Sequence, residues 1–255
     1  MTVAAAGTDP WIRRYHPSPE AAVRLVCFPH AGGSGTFYFP VSAAMPTSVE
    51  VLAVQYPGRQ DRRSEPSIED IAPLADQIFD ALQAWTDRPL AFFGHSMGAV
   101  LAFEVARRFQ DKLGAPPVVL FASGRRAPDR YRDENVHSLD DDGLIREMQR
   151  LNGTDAQLLS DEELLRMILP ALRSDYRAIE AYRYVPGAKL DCPIVMLTGD
   201  ADPMTSIDEA RAWQEHTSAA FELEVFPGGH FYLAAQQQPV LRTISDHLAR
   251  HTKNA

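Results

Sequence analysis

Leu90-Ala91-Phe92-Phe93-Gly94-His95-Ser96-Met97-Gly98 joins an apolar run to a pentapeptide of the form G-x-S-x-G, and a helix-like stretch follows from Ala99 to Phe109. A short apolar run ending at glycine reads as a buried strand, so the chain passes from strand to helix through a sharp turn with Ser96 at its apex. This is the setting of a nucleophile elbow. The glycine spacing has a steric reason. The turn holds the serine in a strained backbone conformation, and side chains two residues before and after it would collide. Glycine at positions 94 and 98 removes that clash.

Outward from this turn, short apolar runs recur at Val23 to Phe28, Val49 to Gln55, Pro117 to Ala122, Pro193 to Leu197 and Phe221 to Phe226. Their near-continuous hydrophobicity predicts strands buried on both faces, as in a parallel sheet. Helical patterns lie between several of them, at Ile71 to Trp85, Met97 to Lys112, Ile207 to His216 and Pro239 to Arg250, the last with proline in its first turn. Strands alternating with helices give an α/β fold with a mostly parallel sheet covered on both faces.

The alternation stops between Gly124 and Gly187, where no clear strand occurs. Helical patterns at Asp142 to Arg150 and Asp161 to Tyr184 take its place. The second opens with Ser160 and Glu163 spaced as a capping box, and Leu164, Ile168, Leu172, Tyr176 and Ile179 fall on one helix face. Pro170 is expected to kink it. Such an insertion predicts a helical lid over the strand ends where these sheets bind ligands, or else a packed stabilising subdomain. The expected organisation is a flexible N-terminus (1–10), a first core part (11–124), the lid insertion (125–187) and a second core part (188–255).

A chain of 255 residues with 45% hydrophobic and 23% charged residues supplies a core for one globular domain. Its net charge of −9 argues against a nucleic-acid binder. Leu90 to Ala106, the longest apolar stretch, is interrupted by His95, Ser96 and Glu104 and does not read as a membrane span. No signal peptide is visible at Met1 to Pro10. Cys27 and Cys192 both sit in strand-like runs and read as buried free thiols, which suits a reducing cytoplasm.

A serine hydroxyl is a poor nucleophile at neutral pH and needs a base, which in turn needs an orienting acid. His230 follows the last strand run in Pro227-Gly228-Gly229-His230-Phe231, where glycines allow a tight turn. Asp200 and Asp202 follow the run Pro193 to Leu197, and either could face the histidine; Asp202 is the preferred acid. The chain order Ser96, Asp202, His230 is that of the α/β-hydrolases. His16, His137, His216, His247 and His251 are expected to be ordinary surface residues. The loop Phe28-Pro29-His30-Ala31-Gly32-Gly33-Ser34-Gly35 carries neither phosphate-loop pattern, and no H-E-x-x-H or clustered C-x-x-C occurs, so no metal or cofactor is expected.

Taken together, Phe28-Pro-His-Ala-Gly-Gly33, Gln55-Tyr-Pro-Gly-Arg59, Gly94-His-Ser-Met-Gly-Ala99, Gly199-Asp-Ala-Asp202 and Pro227-Gly-Gly-His-Phe231 resemble the type II thioesterases, the freestanding editing enzymes of polyketide synthases and nonribosomal peptide synthetases. The resemblance runs from about residue 11 to residue 250. It implies the α/β-hydrolase fold with a helical lid. It also implies Ser96 as nucleophile, His230 as general base, Asp202 as its orienting acid, and the backbone N–H groups of Ala31 and Met97 as the oxyanion hole. The implied substrate is an acyl group on the phosphopantetheine arm of a carrier protein. No G-x-D-S-[LI] attachment sequence occurs here, so the carrier belongs to another polypeptide. Carrier domains are generally acidic, and Arg125, Arg126, Arg130 and Arg132 form a dense basic cluster expected either to dock one or to be a solvated loop balanced by Asp129, Asp133 and Glu134. A general carboxylesterase, a lipase or an acyltransferase with the same triad is the alternative.

Overall fold

The computed structural model describes residues 9–151 and 162–252. Most of the expected flexible N-terminus, and Ser160 of the expected capping box, lie outside the described residues.

Seven strands form one sheet: β1 (Ile12–Arg13), β2 (Val23–Phe28), β3 (Val49–Val54), β4 (Leu90–His95), β5 (Leu120–Ser123), β6 (Ile194–Gly199) and β7 (Phe221–Phe226). Their spatial order is β1-β3-β2-β4-β5-β6-β7, parallel throughout except for β1, which pairs antiparallel with β3. In β2 and β3 every residue is buried. Alternate residues of β2 feed different cores, with Val26 and Phe28 on one face and Val23, Leu25 and Cys27 on the other. The first face packs α2 (Ile71–Leu82) and α3 (Met97–Leu113); the second packs the C-terminal helix Gln237–Thr252 through Val240, Ile244 and Leu248. A sheet sealed on both sides leaves its strand ends as the place for a site.

The strand order places that site. From β2 the chain moves outward to β3 and then returns to add β4 on the other side of β2. The loops leaving β2 and β4 therefore diverge from adjacent strands, which opens a crevice at their carboxyl ends. The first of these loops carries His30 to Gly35 and the second carries Ser96. Among the described residues no helix is long and apolar enough to cross a membrane, and both cysteines are buried and unpaired with each other.

The expected helices are present with shifted ends. The first continues past Leu82 as a 3-10 turn, and Gly114 closes α3 in the left-handed conformation at φ 63°. The pattern Ile207 to His216 is an α-helical turn, Ile207–Arg211, running into a 3-10 segment. Three elements carried no pattern long enough to predict: β1, α1 (Phe39–Ala44) and the turn of helix Tyr232–Ala235.

Between β5 and β6 lie α4 (Asp141–Arg150) and the long helix Glu162–Ala181, which runs through Pro170. The expected stripe has two destinations. Ile168, Leu172 and Tyr176 line a cavity over the strand ends, whereas Ile179 joins the main core. A second stripe, Leu165 and Leu169, packs with Leu172 on Leu144 of α4. The helix thus covers the site between Ile168 and Tyr176 and roots in the sheet's core at its end, through Ala178 and Ile179.

Candidate active site

Ser96 has φ 56° and ψ −118°, a left-handed conformation forced on a residue that is not glycine. A Cβ on Gly94 would lie 2.0 Å from the carbonyl oxygen of Gly98, and one on Gly98 would lie 2.1 Å from that of Phe28. The glycines are thus required by backbone approach rather than by each other's side chains. The same approach presses the start of α3 against the end of β2 and the loop that follows it. Met97 is the first residue of α3, so its N–H has no acceptor within the helix, and it lies beside the loop carrying Ala31.

His230 and Asp202 come from the loops after β7 and β6. A Cβ on Gly199 would lie 2.3 Å from the carbonyl oxygen of Gly228 and 2.5 Å from that of Gly229, so these loops are in backbone contact. That contact carries Asp202 to His230, whose Nδ1 lies 3.1 and 3.0 Å from the two carboxylate oxygens. The Met204 N–H donates to Asp202 Oδ1 at 2.8 Å, fixing the carboxylate from behind. Asp200 is exposed and accepts the Gly228 N–H at 2.9 Å. The structure therefore sets Asp202 against the histidine and gives Asp200 the task of shaping the turn.

The loop after β2 is fastened along its length. Tyr38 and Tyr56 donate their hydroxyls to the carbonyls of Phe28 (2.7 Å) and Pro29 (3.0 Å), and Gly35 N–H donates to Gln55 Oε1 at 2.8 Å. Gly32, at φ 73°, donates its N–H to Asp175 Oδ2 at 2.7 Å. Asp175, on the lid helix and 1% exposed, also forms a bidentate pair with Arg59, 2.6 Å and 2.8 Å. The same guanidinium donates to the Gly33 carbonyl at 3.0 Å. Burial works against the charge on Arg59, and the facing Asp175 carboxylate more than offsets this, raising its pKa further.

Ser96 and His230 open together into a cavity of about 360 Å³. Its apolar walls are Phe37 and Phe231 from the body and Met148, Leu151, Ile168 and Leu172 from the lid. A polar reactive end inside an apolar chamber accepts a substrate with an apolar tail attached to a reactive carbonyl.

Two further histidines sit close by. His95 is fully buried, with Nδ1 2.9 Å from Ser123 Oγ, which in turn lies 2.7 Å from the Tyr232 hydroxyl. His30 is held between Phe37 and Phe231, ring centroids 4.7 and 4.9 Å away. Burial and then the neighbouring His230 lower both: His30 to about 3, His95 well below the usual 6.5. A histidine that folds neutral costs stability wherever the unfolded chain would bind its proton. The unfolded state then holds more protons than the native state, so stability falls as pH drops through 6.5 toward 3. Each such group contributes a slope of up to about 1.4 kcal/mol per pH unit. Urea midpoints measured between pH 7 and pH 5 will fall, and less steeply for His30→Gln than for the wild type.

A family model described as thioesterase domain matches residues 23–248, and so spans the nucleophile turn, Asp202 and His230. The chain belongs to the thioesterase family. It is 55% identical over 248 residues to a probable cadicidin biosynthesis thioesterase of Streptomyces griseus, covering 97% of this chain and 68% of that protein. Thioesterase PikA5 of Streptomyces venezuelae is 52% identical over 239 residues, with 93% and 85% covered. Among solved structures, the type II thioesterase BorB from the borrelidin biosynthetic cluster superposes with a TM-score of 0.90 at 54% identity, with 96% of this chain and 100% of that one covered.

Two expectations about this thioesterase hold only in part. The basic cluster is not one exposed patch: Arg125 and Arg126 are buried, 8% and 3% exposed, whereas Arg132 is exposed, and the expected balancing acids Glu134 and Asp129 do pair, with Arg126 and Arg130. Arg126 pairs with Glu134 at 2.6 Å, Arg130 with Glu215 at 2.7 Å, and Arg132 donates to Glu209 at 2.9 Å. Burial, with Arg126 beside it, pulls the Arg125 guanidinium down to about 10. The buried Arg126–Glu134 pair fastens the segment after β5, whereas Arg130 and Arg132 meet their carboxylates at the surface. Nor are His216 and His247 surface residues. His216 is buried beside Trp213 and Phe103 with Nε2 3.0 Å from Asp129, and His247 lies 3.3 Å from Glu222. Their carboxylate partners lie far away along the chain, where sequence inspection does not look.

What sequence inspection missed near the site is the support around it. The line His95, Ser123, Tyr232 ties the ends of β4 and β5 to the helical turn Tyr232–Ala235. The segment Tyr56-Pro57-Gly58-Arg59, noted before only as a motif, supplies the loop's fasteners through Tyr56 and Arg59. The visible signal for both was position at or soon after the end of a strand.

Proposed function

We propose that this thioesterase hydrolyses acyl thioesters held on the phosphopantetheine arms of carrier proteins from other polypeptides, clearing stalled or misprimed acyl groups in the cytoplasm. The reading is carried by one observation: Ser96, on a strained turn, shares an apolar cavity with a His230 that is held by Asp202. The relatives' names, which tie them to cadicidin biosynthesis and to the borrelidin biosynthetic cluster, support it.

Ser96 Oγ attacks the thioester carbonyl while its proton passes to His230 Nε2. Asp202, facing Nδ1, holds the ring and stabilises the imidazolium. The oxyanion so formed is met by the N–H groups of Ala31 and Met97. Collapse breaks the C–S bond, and the proton held on His230 Nε2 passes to the departing sulfur, a good leaving group that needs little acid assistance, which leaves the imidazole neutral for the second half of the reaction. Water then gives its proton to His230 and attacks the acyl-serine, the C–O bond to Ser96 breaks, and serine recovers the proton. The products are a free acid and a carrier with a free thiol. No cofactor enters these steps.

The test compares hydrolysis of an acyl-carrier protein with that of a p-nitrophenyl ester of the same acyl chain. The expected result is a higher kcat/KM on the carrier by about tenfold or more, since contacts away from the reacting bond contribute to the transition state. Preference for the simple ester would assign the protein to general esterases, and transfer to an alcohol without free acid would make it an acyltransferase.

A further inference from the structure

The lid helix does more than roof the cavity, because one of its side chains is bonded to the loop that bears the oxyanion amide. Asp175 sits between the cavity-lining Leu172 and the core-anchored Ala178 and Ile179. Its Oδ2 accepts the Gly32 N–H at 2.7 Å, and both its oxygens take the Arg59 guanidinium. Arg59 reaches the same loop independently, donating to the Gly33 carbonyl at 3.0 Å. One turn earlier, Leu172 packs so closely that a Cβ on Gly32 would lie 2.8 Å from its Cδ1. Lid and loop are therefore joined by an apolar contact, a backbone hydrogen bond and a buried ion pair within a few ångströms.

The Gly32 N–H belongs to the peptide plane that begins at the Cα of Ala31. The Ala31 N–H lies in the plane on the other side of that Cα, so holding the Gly32 plane limits, through φ and ψ of Ala31, the directions the Ala31 N–H can take. Gly32 itself sits at a positive φ of 73° that a free loop would have no need to hold. An amide must point at the place where charge develops, and an error of about 1 Å costs of the order of a hundredfold in rate.

We infer that Asp175 is a positioning residue: through Gly32 and with Arg59 it aims the Ala31 amide, so that the oxyanion hole is complete only while the lid helix is seated. This rests on Ser96 and the Ala31 and Met97 amides acting as proposed above. A lid displaced at Asp175 would leave Arg59 with an unpaired buried charge and Gly32 with an unmet donor, so seating of the lid and competence for catalysis are one event.

The test uses the intact protein, an acyl-pantetheine thioester too small to engage a carrier surface, and an alkyl trifluoromethyl ketone, which adds to the serine and places its own oxyanion in the hole. Asp175→Asn is expected to lower kcat about 10–100-fold with KM changed less than about twofold, and to weaken the ketone by the same factor as kcat/KM. Because a lone buried Arg59 can unfold the protein, the second variant is Arg59→Met/Asp175→Leu, which removes both charges together and is tolerated where an apolar pair fills the space. It is expected to melt near the wild type and still to show the loss in kcat and ketone affinity. Recovery of kcat along with stability in the double variant would overturn the inference, and so would a rise in KM at unchanged kcat. If instead the wild type resists the ketone and Ser96→Ala keeps its turnover, it is the underlying assignment that falls.

Discussion

Ser96→Ala will lose thioester hydrolysis by about 10⁴-fold or more, and His230→Ala by a similar factor, with no further loss when the two are combined. The reason is that serine and histidine act as one unit: without the hydroxyl there is nothing for the imidazole to deprotonate that the cavity also holds in place. Asp202→Asn is expected to cost about 10³–10⁴-fold by favouring the wrong tautomer of His230. Asp200→Asn, whose side chain is exposed and meets only the Gly228 N–H, will stay within about threefold. Steady-state kinetics on an acyl-pantetheine substrate decide this, and a larger loss for Asp200→Asn than for Asp202→Asn would reassign the acid. The strained φ of 56° adds a stability readout. Ser96→Gly and Ser96→Ala are equally inactive, yet the glycine form should melt higher, because a left-handed non-glycine residue costs of the order of 1–3 kcal/mol.

The second large effect is structural. Gly98→Ala should abolish cooperative folding, because the added Cβ meets the Phe28 carbonyl at 2.1 Å and the Pro29 carbonyl at 2.7 Å. Neither can retreat: Phe28 ends a strand paired on both sides, and Tyr38 and Tyr56 hold those same two oxygens. A cost of about 4–5 kcal/mol or more consumes most of an ordinary domain's stability. Gly94→Ala, 2.0 Å from the Gly98 carbonyl, should behave alike. The contrast is Gly114→Ala at the end of α3, where nothing lies within 4 Å and only the φ of 63° is strained. Thermal unfolding by circular dichroism should show no transition for the first two and a shifted one for the third. A normal melt for Gly98→Ala would mean that the turn is far softer than its contacts imply.

The central strands were legible because a run such as Val23 to Phe28, buried on both faces, has to be apolar throughout, and few other structures demand that. β1 contributes two residues, too few for any period to register. Ser96, Asp202 and His230 were legible because each follows a strand and their order along the chain is constrained. The supporting pairs were not. Arg59 and Asp175 lie 116 residues apart, and an acidic residue in an amphipathic helix reads as part of its wet face until the fold turns that face inward. Arg126 and His216 escaped for the same reason, since a charge in a polar segment carries no mark of whether water or a carboxylate will meet it.

The cavity is walled by two kinds of structure with different histories available to them. Phe37, Phe231 and the reactive side chains belong to loops pinned to the sheet, whereas Met148, Leu151, Ile168 and Leu172 belong to the inserted segment, which meets the loop beside the chemistry at Gly32. Acyl preference can therefore drift, or be exchanged by grafting a lid from a relative, while bond-breaking ability is inherited unchanged. The single constraint on such a graft is a carboxylate at the place of Asp175. A transplanted lid lacking it would fit a new acyl tail and yet deliver it to a site out of register.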